Sequence, residues 1–115
     1  MTGRGWPITA IIDAKRKARA WGCKVIDGAP DTGLPIHFII HDRGCTSIVR
    51  VRRLKYAAYR VEDIERYCAE AIREIRTLDL PEGIYRELWV RGPDRTWYRY
   101  LVLMDSIEYL EYGDG

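Results

Sequence analysis

The sequence predicts an α/β sandwich, two or three layers deep, built on a mixed sheet in the order α-β-β-β-α-β-β. Two segments, near Ile8–Trp21 and Val61–Leu78, repeat apolar residues at helical spacing. Between and after them lie short β-branched runs bounded by Gly, Pro and Asp. The second helix also separates two groups of strands, so it has to cross over the sheet to return the chain. At 115 residues, with four Trp and eight Tyr, the chain has material for one core. It reads as a single domain over residues 1–115, with the core at about residues 7–103 and a short acidic tail at 104–115.

The elements follow in order. Pro7 suits the first turn of a helix; Ile8, Ile11, Ile12, Ala14, Ala18 and Trp21 mark its apolar face, and Gly22 ends it as a left-handed cap. Cys23–Ile26 is a short strand candidate before the turn-rich loop DGAPDTG. Pro35–His41 and Thr46–Leu54 read as a hairpin around Asp42-Arg43-Gly44. In the Val61–Leu78 helix, Ile64, Tyr67, Cys68, Ala71, Ile72, Ile75 and Leu78 form one face, and Glu62, Glu65, Arg66, Glu70, Arg73 and Glu74 the other. Pro81-Glu82-Gly83 breaks the chain. Glu87–Arg91 and Thr96–Leu103 make a second hairpin, with Trp89 opposite Tyr98 and Tyr100 on the same face. Asp105–Glu111 reads as a short helical end.

Composition sets aside several classes. No apolar run is long enough to span a membrane, and the first ten residues lack a signal peptide's apolar core, so a cytoplasmic protein is expected. Cys23, Cys45 and Cys68 form no CxxC pair and read as free thiols, so no metal site is expected. Arg4-Gly5 and Arg91-Gly92 are isolated glycines rather than a phosphate loop, and no cofactor is expected.

Charge is the informative feature. The net charge is only +2, but Arg43, Arg50, Arg52, Arg53, Lys55 and Arg60 follow one another with no acid between them. Lys15, Arg16, Lys17 and Arg19 form a second cluster, and the residues after Leu103 carry only acids. Such asymmetry fits a side that faces a polyanion. Strand side chains alternate faces, so a turn centred on Arg43-Gly44 sets Ile39 opposite Ile48 and His37 opposite Arg50. It also stacks Phe38 on Val49 and Ile36 on Val51, and gathers His37, His41, Arg50 and Arg52 on the other face. That face has two readings: a sheet surface whose arginines pair with carboxylates such as Glu62, Asp63 or Glu87, or a basic patch that grips phosphate.

In AKRKARAWGCKVI, PIHFII, IVRVRRLK and RELWVR, the chain resembles the PD-(D/E)XK nuclease superfamily. This is the restriction-endonuclease-like fold, nearest in outline to archaeal Holliday-junction-resolvase-type domains. The resemblance spans residues 7–103 and implies helix, Gly and strand, then PD before an apolar strand, then an E-x-K strand and a crossover helix. It implies that a motif Asp and the Glu of E-x-K hold a divalent metal while the Lys orients the attacking water. In this chain His37 stands at the Asp position, Arg50 at the Glu position and Arg52 at the Lys position. The resemblance therefore implies the fold without its metal-binding acids.

Three functions follow as expectations. The first is a non-catalytic nuclease-like domain that binds DNA or another polyanion through Arg50, Arg52, Arg53, Lys55, Lys15, Arg16 and Arg19. The second is an interaction protein, a homodimer through the aromatic hairpin or a sheet edge, with no nucleic-acid role. The third is a divergent metal-dependent nuclease using the relocated acids Asp31, Asp42 and Glu62.

Overall fold

The computed structural model describes residues 8–27, 35–55 and 60–110. Helix α1 (Ile8–Ala20) is followed by strands β1 (Lys24–Asp27), β2 (Phe38–Asp42) and β3 (Cys45–Arg53). Helices α2 (Val61–Tyr67) and α3 (Ala69–Arg76) cross over to β4 (Ile84–Arg91), β5 (Trp97–Val102) and β6 (Ile107–Leu110). The sheet runs β1-β2-β3-β4-β5-β6, antiparallel throughout except for the parallel β3–β4 pair that the crossover requires. One face packs under α1 and the other under α2 and α3, giving a three-layer α/β sandwich with a mixed sheet, as the sequence predicts. None of the described helices is long and apolar enough to cross a membrane.

The first hairpin has the expected register. Asp42 pairs with Cys45, His41 with Thr46, Ile39 with Ile48 and Phe38 with Val49. A two-residue loop of type I′ does this with left-handed backbone at both central positions, and Arg43 (φ 54°) and Gly44 (φ 82°) supply it. Gly22, at φ 90°, caps α1, and the Cys23 amide reaches back to the Ala18 carbonyl at 2.9 Å.

The α1 layer is built on small residues. Ala10, Ala14 and Ala18 are fully buried, four apart on one stripe, so the helix lies close over the sheet. Ile8 and Ile12, read from the sequence as part of that face, are exposed instead. The alanines leave room for Trp89, which is fully buried and meets the rings of Trp21, Phe38 and Trp97 at centroid distances of 5.3, 5.6 and 6.3 Å. Burying about 200 Å² of indole at about 25 cal/mol per Å² contributes on the order of 5 kcal/mol.

Three expectations are corrected. The helix predicted over 61–78 is kinked at Cys68, whose backbone (φ −113°, ψ 21°) leaves the α region while its amide still bonds the Ile64 carbonyl. Tyr67, beside the kink, turns outward. The helical end predicted over 105–111 is strand β6 at its centre, so residues 107–110 extend the sheet. The second hairpin is shifted by one residue: Trp89 pairs with Arg99 and Val90 with Tyr98. Residues 92–96 form its loop, with the Gly92 amide on the Thr96 carbonyl and Arg95 in left-handed backbone. The shift puts Trp89 and Trp97 under α1, and Tyr98 and Tyr100 on the face under α2 and α3.

It also sets Arg99 beside Glu87. Glu87 is 4% exposed, and its Oε1 accepts hydrogen bonds from Arg99 Nε (3.0 Å), Arg99 Nη2 (2.9 Å) and Trp89 Nε1 (2.9 Å). The guanidinium lies over the rings of Trp21 and Trp89 at 5.5 and 5.1 Å. Replacing Glu87 by Gln removes the counter-charge of a largely buried cation, and the expected cost is about 3 kcal/mol. Urea unfolding followed by Trp emission measures it, and a loss below about 1 kcal/mol would show that the pair does not support the layer.

Candidate nucleic-acid interface

β3 is the central strand of the basic stretch, and alternation sends its cations to different layers. Val49, Val51 and Arg53 face α1, whereas Ile48, Arg50 and Arg52 face α2 and α3. The seven cations singled out by the sequence therefore do not form one surface.

Arg50 and Arg52 are held inside the molecule. Arg50 Nη1 donates to the Pro35 carbonyl at 3.0 Å and pairs with Glu74 Oε1 of α3 at 3.0 Å, with 19% of the side chain exposed. Arg52, half-buried, acts on the Cys68 thiol of the crossover. Burial raises the thiol's pKa, and Arg52 and Arg50 pull against it. Of the two readings of this face, paired arginines describe Arg50, but the partner is Glu74. Glu87 lies in the other layer.

His37 completes this group. Its amide bonds the Val49 carbonyl at 2.8 Å, and its Nδ1 accepts the Val51 amide at 2.9 Å, between Arg50 and Arg52. This side-chain bond bends the chain off the ladder, so β2 begins only at Phe38 and Ile36 packs into the α2–α3 core rather than on Val51. Burial lowers the imidazole pKa to about 4, and Arg50 and Lys15 push the same way. His41 lies apart, with Nδ1 2.9 Å from Thr46 Oγ1 at an exposed position.

A divalent cation does not fit between these residues. The imidazole nitrogen that could coordinate already accepts the Val51 amide, and the positive charge of Arg50 acts on the same ring. Among the described residues no three of His, Cys, Asp and Glu come together as ligands. Of the relocated acids, Asp42 ends β2 on the α1 face and Glu62 is exposed on α2 in the opposite layer. Asp31 lies outside the described residues.

The remaining cations are on or near the α1 side. Lys15 is tied to Asp27 at 2.6 Å, and this bond lowers the Asp27 pKa. Arg16, Lys17 and Arg19 are exposed along α1, Arg53 is exposed at the end of β3, and Lys55 is exposed just beyond it. Sequence reasoning missed Arg91, the Cα partner of Arg53 on β4, whose Nη1 lies 3.7 Å from Asp13 Oδ2. The signal was available in RELWVR, where Arg91 shares the face of Trp89. Trp89 and Tyr100, offered from sequence as dimer contacts, are consumed in this chain's own core.

This architecture is the resolvase or restriction-endonuclease-like fold, a mixed sheet between a leading helix and a crossover helix. Among solved structures, the chain matches that of Hjc, a Holliday junction resolvase from the archaeal hyperthermophile Archaeoglobus fulgidus. The match covers 90% of this chain and 87% of that one, with a TM-score of 0.53 and 13% sequence identity. No protein-family model matches the sequence, and no curated protein matches it.

The His37 geometry has a pH signature. Unfolded, His37 titrates near 6.5; folded, near 4. Between those values the unfolded state holds the extra proton, so stability is complete above about pH 6.5 and falls as pH drops toward 4. His37→Asn keeps an acceptor for the Val51 amide but cannot titrate. Urea midpoints between pH 7 and 4 should fall more steeply in the parent than in this variant, and parallel curves would contradict the assignment.

Proposed function

We propose that the chain is a nuclease-fold module that binds nucleic acid, as a polyanion, through the α1 side of its sheet, and does not cut it. The observation that carries this is the division of charge between the two helical layers. α1 holds Lys15, Arg16, Lys17 and Arg19 against one acid, Asp13, whose carboxylate is engaged by Trp97 Nε1 at 3.0 Å and faces Arg91. α2 and α3 hold Glu62, Asp63, Glu65, Glu70 and Glu74 against Arg66, Arg73 and Arg76. A phosphate backbone is attracted to the first layer and repelled by the second. Arg53 adds an exposed cation to the α1 side, and Lys55 follows it.

In this reading Arg16, Arg19, Arg53 and Lys55 contact phosphate, while Arg50, Arg52 and Lys15 serve the fold. His37, Arg50 and Arg52 are the remnants of a motif whose acids are gone. Their bonding supports this: the His37 imidazole is taken up by the Val51 amide and the Arg50 guanidinium by the Pro35 carbonyl and Glu74, where a metal would need free carboxylates. The fold shared with a Holliday junction resolvase makes a four-way DNA junction the first ligand to test, beside plain duplex.

Fluorescence anisotropy of labelled junction and duplex tests the proposal. Submicromolar binding at low salt is expected, weakening steeply as salt rises. Arg16→Glu combined with Arg19→Glu should lower affinity by at least about tenfold without loss of fold. Arg50→Gln should instead cost about 2 kcal/mol of stability and leave the folded protein's affinity unchanged. Absence of binding at low salt, or loss of affinity in Arg50→Gln alone, would sink the proposal.

A further inference from the structure

The carboxyl ends of the parallel strands β3 and β4 present two like charges side by side. Arg53 and Arg91 are Cα partners on adjacent strands, and both belong to the α1 face. Like charges directly opposite in a sheet are destabilising, and here a single carboxylate among the described residues answers them. Asp13 Oδ2 lies 3.7 Å from Arg91 Nη1, beyond hydrogen-bond reach, and the same oxygen accepts Trp97 Nε1 at 3.0 Å.

Arg91 is also poorly satisfied for its burial. Its side chain is 13% exposed, and its Nε is one of two buried side-chain polar atoms without a hydrogen-bond partner among the described residues. The other is Arg50 Nε, but that guanidinium already bonds a carbonyl and a carboxylate through Nη1. Arg91 makes no bond of that kind to any described residue. An unsatisfied donor on a buried cation is costly, and a bound anion would remove the cost. Arg95, exposed in the loop after β4, adds a third cation at this end of the sheet, while Asp94 in the same loop is turned to the Thr96 amide at 3.1 Å.

We propose that Arg53 and Arg91 form a site for a single phosphate group, with exposed Arg53 at the mouth and Arg91 offering its Nε–H from within. The chemistry favours phosphate because two adjacent guanidinium forks match its tetrahedral oxygens. The location agrees with the way open α/β sheets take ligands at the carboxyl ends of their strands. The proposal rests on the reading above only in assigning that phosphate to a nucleic-acid backbone.

The orphaned Nε–H is itself the probe. In ¹⁵N-labelled protein, titration with inorganic phosphate should move the Arg91 Nε–H resonance saturably, sodium chloride at matched ionic strength should not, and Arg53→Gln should abolish the response. The same variant should weaken junction binding and reduce the salt slope by about one. A resonance that ignores phosphate, or follows chloride equally, overturns the site whatever the DNA result. Wild-type junction binding that Arg53→Gln leaves unchanged in affinity and slope overturns the assignment of that phosphate to a nucleic-acid backbone, and removes Arg53 from the contacts of the α1 side. A saturable Arg91 response in a protein that binds no DNA supports the site and defeats that reading instead.

Discussion

Strand β3 is covered on both faces and flanked on both edges, and the rest of the molecule is arranged around the charge buried there. A central strand cannot leave a guanidinium without partners, because desolvating an unpaired cation costs several kcal/mol. Arg50 therefore takes the Pro35 carbonyl and Glu74. Only Arg53, where the strand leaves the sheet, is exposed. The same solution recurs. Arg86 donates to the Ile75 and Leu78 carbonyls at the end of α3, and Arg76 donates to the Leu103 and Ser106 carbonyls before β6. Each of these arginines ties a helix to the sheet or its loops. Arginine suits the task because it stays protonated and offers several donors in a fixed fork.

This use of arginine changes what the basic sequence means for function. Cations that act as struts are unavailable to a ligand, so the surface charge differs from the charge along the chain. With Arg50, Arg76, Arg86 and Arg99 engaged inside the protein, the exposed positive charge of α1 and the strand end β3 stands against an acidic α2–α3 layer. The polarity is across the sheet rather than along the sequence. At the position that the resemblance gives to a carboxylate stands Arg50, whose guanidinium fastens α3 to the sheet through Glu74.

Much of the fold was legible because local chemistry determined it. Arg43-Gly44 admits a two-residue turn, and that turn sets every pair in the first hairpin. Gly22 closes α1, and the parallel β3–β4 pair follows from the crossover helix. The second hairpin failed by one residue because Thr96 belongs to the loop rather than to the strand, and nothing in Gly92-Pro93-Asp94-Arg95 settles that length. The error exchanged faces for Trp89 and Tyr98, so the Glu87–Arg99 pair and the Trp89 core could not be foreseen. The candidate site was legible in part: His37 does reach β3, at the Val51 amide between Arg50 and Arg52 in sequence. The bonds of Arg50 and His37 were not, since Glu74 sits on what the helical wheel gives as the outer face, and the Val51 amide reaches His37 only because the chain leaves the ladder at Ile36.

The central claim is that nucleic acid meets the α1 side, and amide hydrogen exchange with and without a four-way DNA junction tests it most directly. The account predicts slowed exchange in α1 and at the Arg53 end of β3, with α2 and α3 unchanged. Protection confined to α2 and α3, or no protection at saturating DNA, would contradict it.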